Sequence, residues 1–255
     1  MELRVIGCHG GETPRHRTSA FVVDDALAID AGSLTSGMDL RSQFRLSGCI
    51  VSHAHLDHIR DLATIADNRC QAACEPLLVG ATRATIAALK KHFFNNLIWP
   101  DFTEIPSKAK PALRFVELKP ERRTQLGDYW VRSVLVSHTI ESAGFIVEGP
   151  DATIAYSGDT GPTDRFWEVL RGEPNLKALL MEVSLPNRQQ RLATVSGHHT
   201  PRTLEKDLQK YGDARDLPTL LYHIKPVFQS EVEQECARLK KVNLTVLGLG
   251  DQFVL

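Results

Sequence analysis

His53-Ala54-His55-Leu56-Asp57-His58 places three imidazoles and a carboxylate within six residues, just after the apolar run Cys49-Ile50-Val51. Histidine and aspartate are uncommon in cores, and a buried charge needs a partner. Imidazole nitrogen and carboxylate oxygen together are the donors that zinc and similar divalent ions take. An exposed polar turn after a strand would leave this density of ligand types unexplained. By strand alternation His53 and His55 leave the strand end pointing the same way, so they can share one ion. Asp57 and His58 lie a turn further on, where a helix is read over 59–67, and face a second ion. Two-metal sites hold their ions about 3.5–4 Å apart and clamp the attacking and leaving oxygens of a displacement.

One short motif supplies four ligands at most, so others are required downstream. His138 follows the alternating run Tyr129 to Val136. Asp159 sits in Tyr156-Ser157-Gly158-Asp159-Thr160, after the apolar strand Ala152 to Ala155. His223 ends Thr219-Leu220-Leu221-Tyr222. A lone histidine at a strand end is most often a surface or capping residue. Three more ligand-type residues in matching places make a set. Asp159 is the expected bridge, because a carboxylate has two oxygens and can serve two cations.

The elements that must position these residues are strands followed by loops. Strands are read at Leu3 to Cys8, Ser19 to Val23, Ala26 to Asp30 and Cys49 to Ser52. A second group covers 113–117, 129–136, 143–148, 152–157 and 178–183. Val22-Val23-Asp24-Asp25-Ala26-Leu27 reads as a hairpin with acidic turn residues. Helices are expected near 59–67 and 80–95, at Pro201 to Tyr211 and at Ser230 to Lys240. Thr200 before Pro201 fits an N-cap followed by proline at the first helical position. Periodicity alone gives mixed α and β.

Composition sets further bounds. No linker or repeat divides the 255 residues, and the ligands span positions 53 to 223, so a single domain over 1–255 is expected. With 30 basic and 31 acidic residues the chain lacks the basic footprint of general nucleic-acid binding. No signal-peptide pattern opens it and no run reaches the ~20 apolar residues of a membrane span. The five cysteines, at 8, 49, 70, 74 and 236, are odd in number and scattered, which argues against a disulfide framework and for a reducing cytoplasm. His9 and His16 have no partner pattern and are expected to be exposed. There is no Gly-x-Ser-x-Gly elbow, phosphate loop or dinucleotide fingerprint.

The order His-x-His-x-Asp-His, then His, Asp and His, resembles the metallo-β-lactamase superfamily of metal-dependent hydrolases. The resemblance runs from Arg4-Val5-Ile6-Gly7-Cys8 through Asp30-Ala31-Gly32 to a Val246–Leu255 hairpin. It implies a four-layer αββα sandwich, two mixed β-sheets covered by helices. It also implies that His53, His55 and His138 hold one metal, that Asp57, His58 and His223 hold the other, and that Asp159 bridges. Phe94 to Phe102, Glu182 to Arg188, Ser196-Gly197-His198-His199-Thr200-Pro201 and His223-Ile224-Lys225-Pro226 are similar to segments of the class II cyclic-nucleotide phosphodiesterases. Asp61 and His199 depart from that family, which usually has glycine and an apolar residue there.

The activity implied is hydrolysis of 3′,5′-cyclic nucleotides (cAMP or cGMP) to 5′-nucleotides, through hydroxide held between two divalent ions. Zinc is the expected metal, with manganese or iron as alternatives. Asp57 and His198 are the catalytic candidates, His198 as proton donor or phosphate grip; the plain alternative is that His198 or His199 caps the helix at Pro201. Asn187, Arg188 and Trp99 are the candidate substrate contacts, Trp99 with Phe93, Phe94 and Phe102 as a stacking or packing group. Glu182 is either an outer partner of a ligand histidine or an internal salt-bridge residue. The expected partner is a small phosphodiester, without a membrane, and a homodimer is compatible with the sequence. The alternatives are another hydrolase on this scaffold (an RNA-processing nuclease, or a lactone or thioester hydrolase) and a non-catalytic metal-stabilised binding module.

Overall fold

Along the strands, alternate side chains enter different cores, and that alternation sets the layers. Phe21 and Val23 join one buried cluster, while Ala20 and Val22 join another. Strands buried on both faces read as near-continuous apolar runs, as Ala20-Phe21-Val22-Val23 does. The computed structural model describes residues 1–212, 216–240 and 242–255.

The first sheet is built from β1 (Glu2–Gly7), β2 (Ala20–Val23), β3 (Leu27–Ile29), β4 (Gly48–Ile50), β5 (Leu77–Ala81) and β6 (Leu113–Glu117). The second is built from β7 (Arg123–Leu126), β8 (Tyr129–Val136), β9 (Ser142–Glu148), β10 (Thr153–Tyr156), β11 (Leu176–Glu182), β12 (Thr219–Tyr222) and β13 (Leu244–Val246). β14 (Gln252–Val254) returns to the first sheet beside β1. Both sheets have seven strands, in the orders β14-β1-β2-β3-β4-β5-β6 and β13-β12-β11-β10-β9-β8-β7. Each is antiparallel over one half and parallel over the other, as β3-β4-β5-β6 and β10-β11-β12-β13 are.

Three buried clusters separate four layers. The middle one joins the sheets through Phe21, Ile29 and Ile50 on one side and Phe145, Tyr156 and Tyr222 on the other. α1 (Leu34–Gly37), α2 (Leu40–Arg45), α3 (Leu56–Ile59), α4 (Leu62–Gln71) and α5 (Arg83–His92) follow strands of the first sheet. Leu62, Ile65 and Leu89 pack there against Val22, Cys49 and Val79. α6 (Arg165–Leu170), α7 (Gln190–Ser196), α8 (Pro201–Leu208) and α9 (Gln229–Cys236) follow strands of the second sheet. Trp167, Leu204 and Val232 pack there with Ile146, Leu179 and Leu221. This is the αββα sandwich of two mixed sheets.

Several local expectations hold. Asp24 and Asp25 turn the β2–β3 hairpin with φ of 48° and 54°, the left-handed pair that suits a two-residue turn. Thr200 accepts from Thr203 N–H, in a reciprocal capping box ahead of Pro201. Others need correction. β5 was not anticipated, and α5 starts only at Arg83, because Leu77-Leu78-Val79-Gly80-Ala81 is a short apolar run of the kind periodicity leaves ambiguous. The helix read over 59–67 is two helices, α3 and α4. The break falls at Asp61, whose carboxylate accepts from Thr35 N–H at 2.7 Å and Thr35 Oγ–H at 2.6 Å. The Val246–Leu255 hairpin does not form. β13 pairs with β12 and β14 with β1, so the segment crosses between sheets at Gly250, whose N–H donates to Val5 O. His9 is buried, with Nδ1 against the Arg17 backbone. No described helix is long and apolar enough to cross a membrane.

Phe21 tests the sheet–sheet contact. It is fully buried, with its ring 5.8 Å from Tyr156 and 5.4 Å from Tyr222. Phe21→Ala is expected to cost about 3–5 kcal/mol of unfolding free energy, read from denaturant midpoints. A loss below about 1 kcal/mol would show that this contact does not hold the layers together.

Candidate metal centre

Strand ends and the loops that follow them bring the ligand-type residues together. His53 and His55 follow β4, and Asp57 and His58 lie in the first turn of α3. His138 follows β8, Asp159 follows β10 and His223 follows β12. Gly32 makes room for this. A Cβ there would lie 1.9 Å from the Asp57 carbonyl oxygen, so any side chain would displace the ligand turn.

Hydrogen bonds on the far side of each ring fix its tautomer. Asp30 accepts from Ser52 N–H at 2.7 Å, Ser52 Oγ–H at 2.8 Å, His58 Nδ1 at 2.7 Å and the Tyr156 hydroxyl at 2.5 Å. His58 Nδ1 therefore carries a proton, and in the neutral ring its Nε2 is an acceptor. The Ser52 hydroxyl, having donated to Asp30, accepts from His53 Nδ1 at 3.0 Å. His138 Nδ1 donates to Gly197 O at 2.9 Å. The Ser184 hydroxyl donates to Glu182 Oε2 at 3.0 Å and so accepts from His223 Nδ1 at 2.9 Å. In the neutral form of all four rings Nε2 is left as an acceptor.

Those acceptors converge in two sets. His53 Nε2 is 2.9 Å and His138 Nε2 3.2 Å from His55 Nδ1, which can donate to one of them at most. His58 Nε2 is 3.4 Å from His223 Nε2, and Asp57 Oδ2 is 3.4 Å from the same atom. Asp159 Oδ2 lies between the sets, 3.1 Å from His223 Nε2, 3.3 Å from His58 Nε2 and 3.8 Å from His53 Nε2. Asp159 Oδ1 is buried without a hydrogen-bond partner among the described residues. Lone pairs at this range repel unless a cation lies among them. Donors about 2.0–2.1 Å from a tetrahedral ion would be about 3.3 Å apart, which these spacings approach. The residues present fit divalent ions.

Protonation agrees with that reading. Burial first, then neighbouring histidines, pushes His53 well below the usual imidazole range. Burial likewise lowers His55, His138 and His223, favouring the neutral rings that bind metals. Burial raises the Asp159 and Asp57 carboxyls, but the imidazoles, His223 foremost, overcome it and hold both below the ordinary range. His58 differs. Burial opposes its charge, yet Asp159 and Asp30 lift it well above the usual value. Two carboxylates thus demand positive charge at His58, supplied either by a proton on Nε2 or by a cation bound there. His53, His58, Asp159 and His223 are buried, while His55, Asp57 and His138 are half-buried and mark the open side.

His198 joins the cluster. Its ring is 5.1 Å from His138 and 5.2 Å from His223, and its Nδ1 is 3.2 Å from Glu182 Oε1. Burial opposes its protonation, and the Glu182 carboxylate overcomes this and raises it. Glu182 is fully buried and also accepts from Thr160 and His199 N–H. His199 points elsewhere, with Nδ1 at Thr203 Oγ1 in the first turn of α8. Trp99, Asn187 and Arg188 each have partners within the protein. Trp99 Nε1–H donates to Ala63 O, and Phe94 and Phe102 are buried in the same core. Asn187 Oδ1 accepts from Arg202 N–H, and the Arg188 guanidinium pairs with Glu231 over the Phe228 ring. Asp30 was legible only as part of a resembling segment. A carboxylate closing Leu27-Ala28-Ile29, like Asp159 after its own strand, was the signal available.

Asp30→Asn tests the outer hydrogen bonds. It leaves His58 free to rotate, so zinc affinity is expected to fall about 10–100-fold, measured by chelator competition. An unchanged affinity would mean that Asp30 does not orient His58.

Residues 33–224 match the family model described as "Beta-lactamase superfamily domain". A probable 3′,5′-cyclic-nucleotide phosphodiesterase of Yersinia pestis is 28% identical over 308 residues, covering 100% of this chain and 87% of the relative. A 3′,5′-cyclic-nucleotide phosphodiesterase of Aliivibrio fischeri is 26% identical, covering 98% and 88%. Among solved structures, unliganded yeast PDE1 superposes with TM-score 0.83 at 19% identity, covering 100% of this chain and 99% of that one. The metallo-β-lactamase fold protein YhfI of Bacillus subtilis gives 0.79 at 19% identity, with 99% of each chain covered. With the family model spanning most of the chain and the fold and ligand-type residues in agreement, the chain belongs to the β-lactamase superfamily, as a hydrolase of the metallo-β-lactamase fold.

Proposed function

We propose that this chain is a single-domain phosphodiesterase that opens 3′,5′-cyclic nucleotides with two divalent ions. The observation that carries the reading is the pair of facing acceptor sets joined at Asp159, with His198 and Glu182 beside them. The relatives named for that activity, aligned over nearly the whole chain, support the substrate class. His53, His55 and His138 would hold one ion, Asp57, His58 and His223 the other, and Asp159 both. Five imidazoles among seven ligands suit zinc, with manganese or iron as alternatives. Such ions supply Lewis acidity at a phosphoryl oxygen and an ionised water at neutral pH.

The chain's own residues supply the rest. Glu182 accepts from His198 Nδ1 and favours the protonated ring, in which Nε2–H is the transferable proton. In the reaction a water oxygen bonds to phosphorus, the bond from phosphorus to the 3′ ribose oxygen breaks, and that oxygen takes the His198 proton. The product is a 5′-nucleotide. A nuclease on the same scaffold could use the same pair, and the fold resembles that of human tRNase Z, short form, at TM-score 0.67 and 17% identity. The near-neutral charge of −1 favours a small substrate over a polyanion.

Zinc-loaded protein is expected to turn over cAMP and to lose activity with a chelator. His198→Ala should slow cAMP opening about 10²–10⁴-fold at unchanged metal content. A p-nitrophenyl diester, whose leaving group needs no proton, should suffer less. Equal losses on both substrates would make His198 a phosphate grip, and no loss on either would make it structural.

Asp159→Asn is expected to lower the content of both metals, measured by mass spectrometry. A variant that retained two equivalents and full rate would remove the bridging role.

A further inference from the structure

Lys225 is the charged residue beside the cluster that the proposed chemistry does not use. Nearby cations are committed: Arg188 pairs with Glu231 and Lys210 with Asp207 and Asp164. Among the described residues, no carboxylate pairs with the Lys225 ammonium. The backbone holds the residue in place, through Lys225 N–H to Ser184 O at 3.1 Å. Its stem lies against Gly10, where a Cβ would come within 3.0 Å of Lys225 Cδ and 2.4 Å of His223 O.

Lys225 also stands at the rim of a recess of about 410 Å³ that contains His198. Leu185, Leu192, Ser196, Val227 and Phe228 form its other walls. Apart from Ser196 the remaining walls are apolar, yet Leu192 is 49% and Val227 82% exposed, so none of the described residues covers them. A small-molecule site of this size, mostly apolar with a few convergent polar groups, suits a ligand with a flat heterocycle and an anionic end.

We propose that this recess is the nucleobase subsite and that Lys225 binds the phosphate of the same substrate. The base lies against Leu185, Leu192 and Phe228, which puts the ribose beside His198 and the phosphate between Lys225 and the metal ligands. The recess bounded by Ala54, Leu56, Phe93 and Ile98 on the first-sheet side lacks a cationic lysine or arginine. This assignment rests on the cyclic-nucleotide reading, and binding separates the two.

The test measures binding of 5′-AMP and of inorganic phosphate to the zinc-loaded full chain by calorimetry, with KM for cAMP alongside. Lys225→Met should weaken both ligands about 10–100-fold, the loss of a charge-assisted hydrogen bond. Leu192→Asn, at a half-exposed position, should weaken AMP about tenfold and discriminate against it relative to phosphate. Equal AMP affinity in Leu192→Asn and the parent, or a loss that appears with Ile98→Asn instead, would overturn the subsite. Turnover of cAMP by both variants at the parent KM would overturn it while the reaction reading stands. AMP binding that depends on Leu192 and Lys225, without any cAMP turnover, would support the subsite and reject the reaction.

Discussion

Mutual repulsion among lone pairs is the constraint on which this structure depends. Four histidine Nε2 atoms, His55 Nδ1 and two carboxylates point inward at each other. Without positive charge in the middle, burying Asp159, His53, His58 and His223 would cost several kcal/mol. Folding and cation binding are therefore linked: whatever binds the folded chain and not the unfolded one stabilises it by mass action.

The sandwich supplies the rigidity that this arrangement needs. The candidate ligands come from the ends of β4, β8, β10 and β12, in two different sheets, so their spacing depends on how the sheets pack. Tyr156 shows the connection most directly. Its ring sits in the middle core with Phe21 and Tyr222, and its hydroxyl donates to Asp30, which orients His58. Burial and the Asp30 charge raise the Tyr156 pKa well above the usual phenol range, so the hydroxyl keeps the proton it donates. His223 takes a left-handed backbone, φ 70°, which costs of order 1–3 kcal/mol at a non-glycine residue. Ser184 and the Cys8 carbonyl, which accepts from His223 N–H at 2.7 Å, hold it there.

Much of the cluster was legible in the sequence because metal-binding residue types carry their chemistry with them. His53, His55, Asp57 and His58 announce themselves by density, and His138, Asp159 and His223 by recurring after apolar strands. The outer residues were harder to see. Asp30, Ser52 and Tyr156 act through contacts 22 to 126 positions apart, and no local pattern records such a pairing. Lys225 lacks a signal of its own, since an uncommitted lysine is defined by what does not surround it. Trp99, Asn187 and Arg188 suit a substrate by type, and within the protein Trp99 Nε1–H meets Ala63 O, Asn187 Oδ1 meets Arg202 N–H and Arg188 meets Glu231. In the fold, long alternating runs such as Tyr129–Val136 matched their strand, while the polar edge strand Arg123–Leu126 and the short β5 carry too little pattern to separate from loop or helix.

The most direct measurement is anomalous diffraction at the zinc edge from crystals of the metal-loaded protein. Two peaks are expected about 3.5–4 Å apart, one bound by His53, His55 and His138, the other by Asp57, His58 and His223, with Asp159 touching both. A single peak, or two peaks of which one lies away from Asp159, would contradict the account.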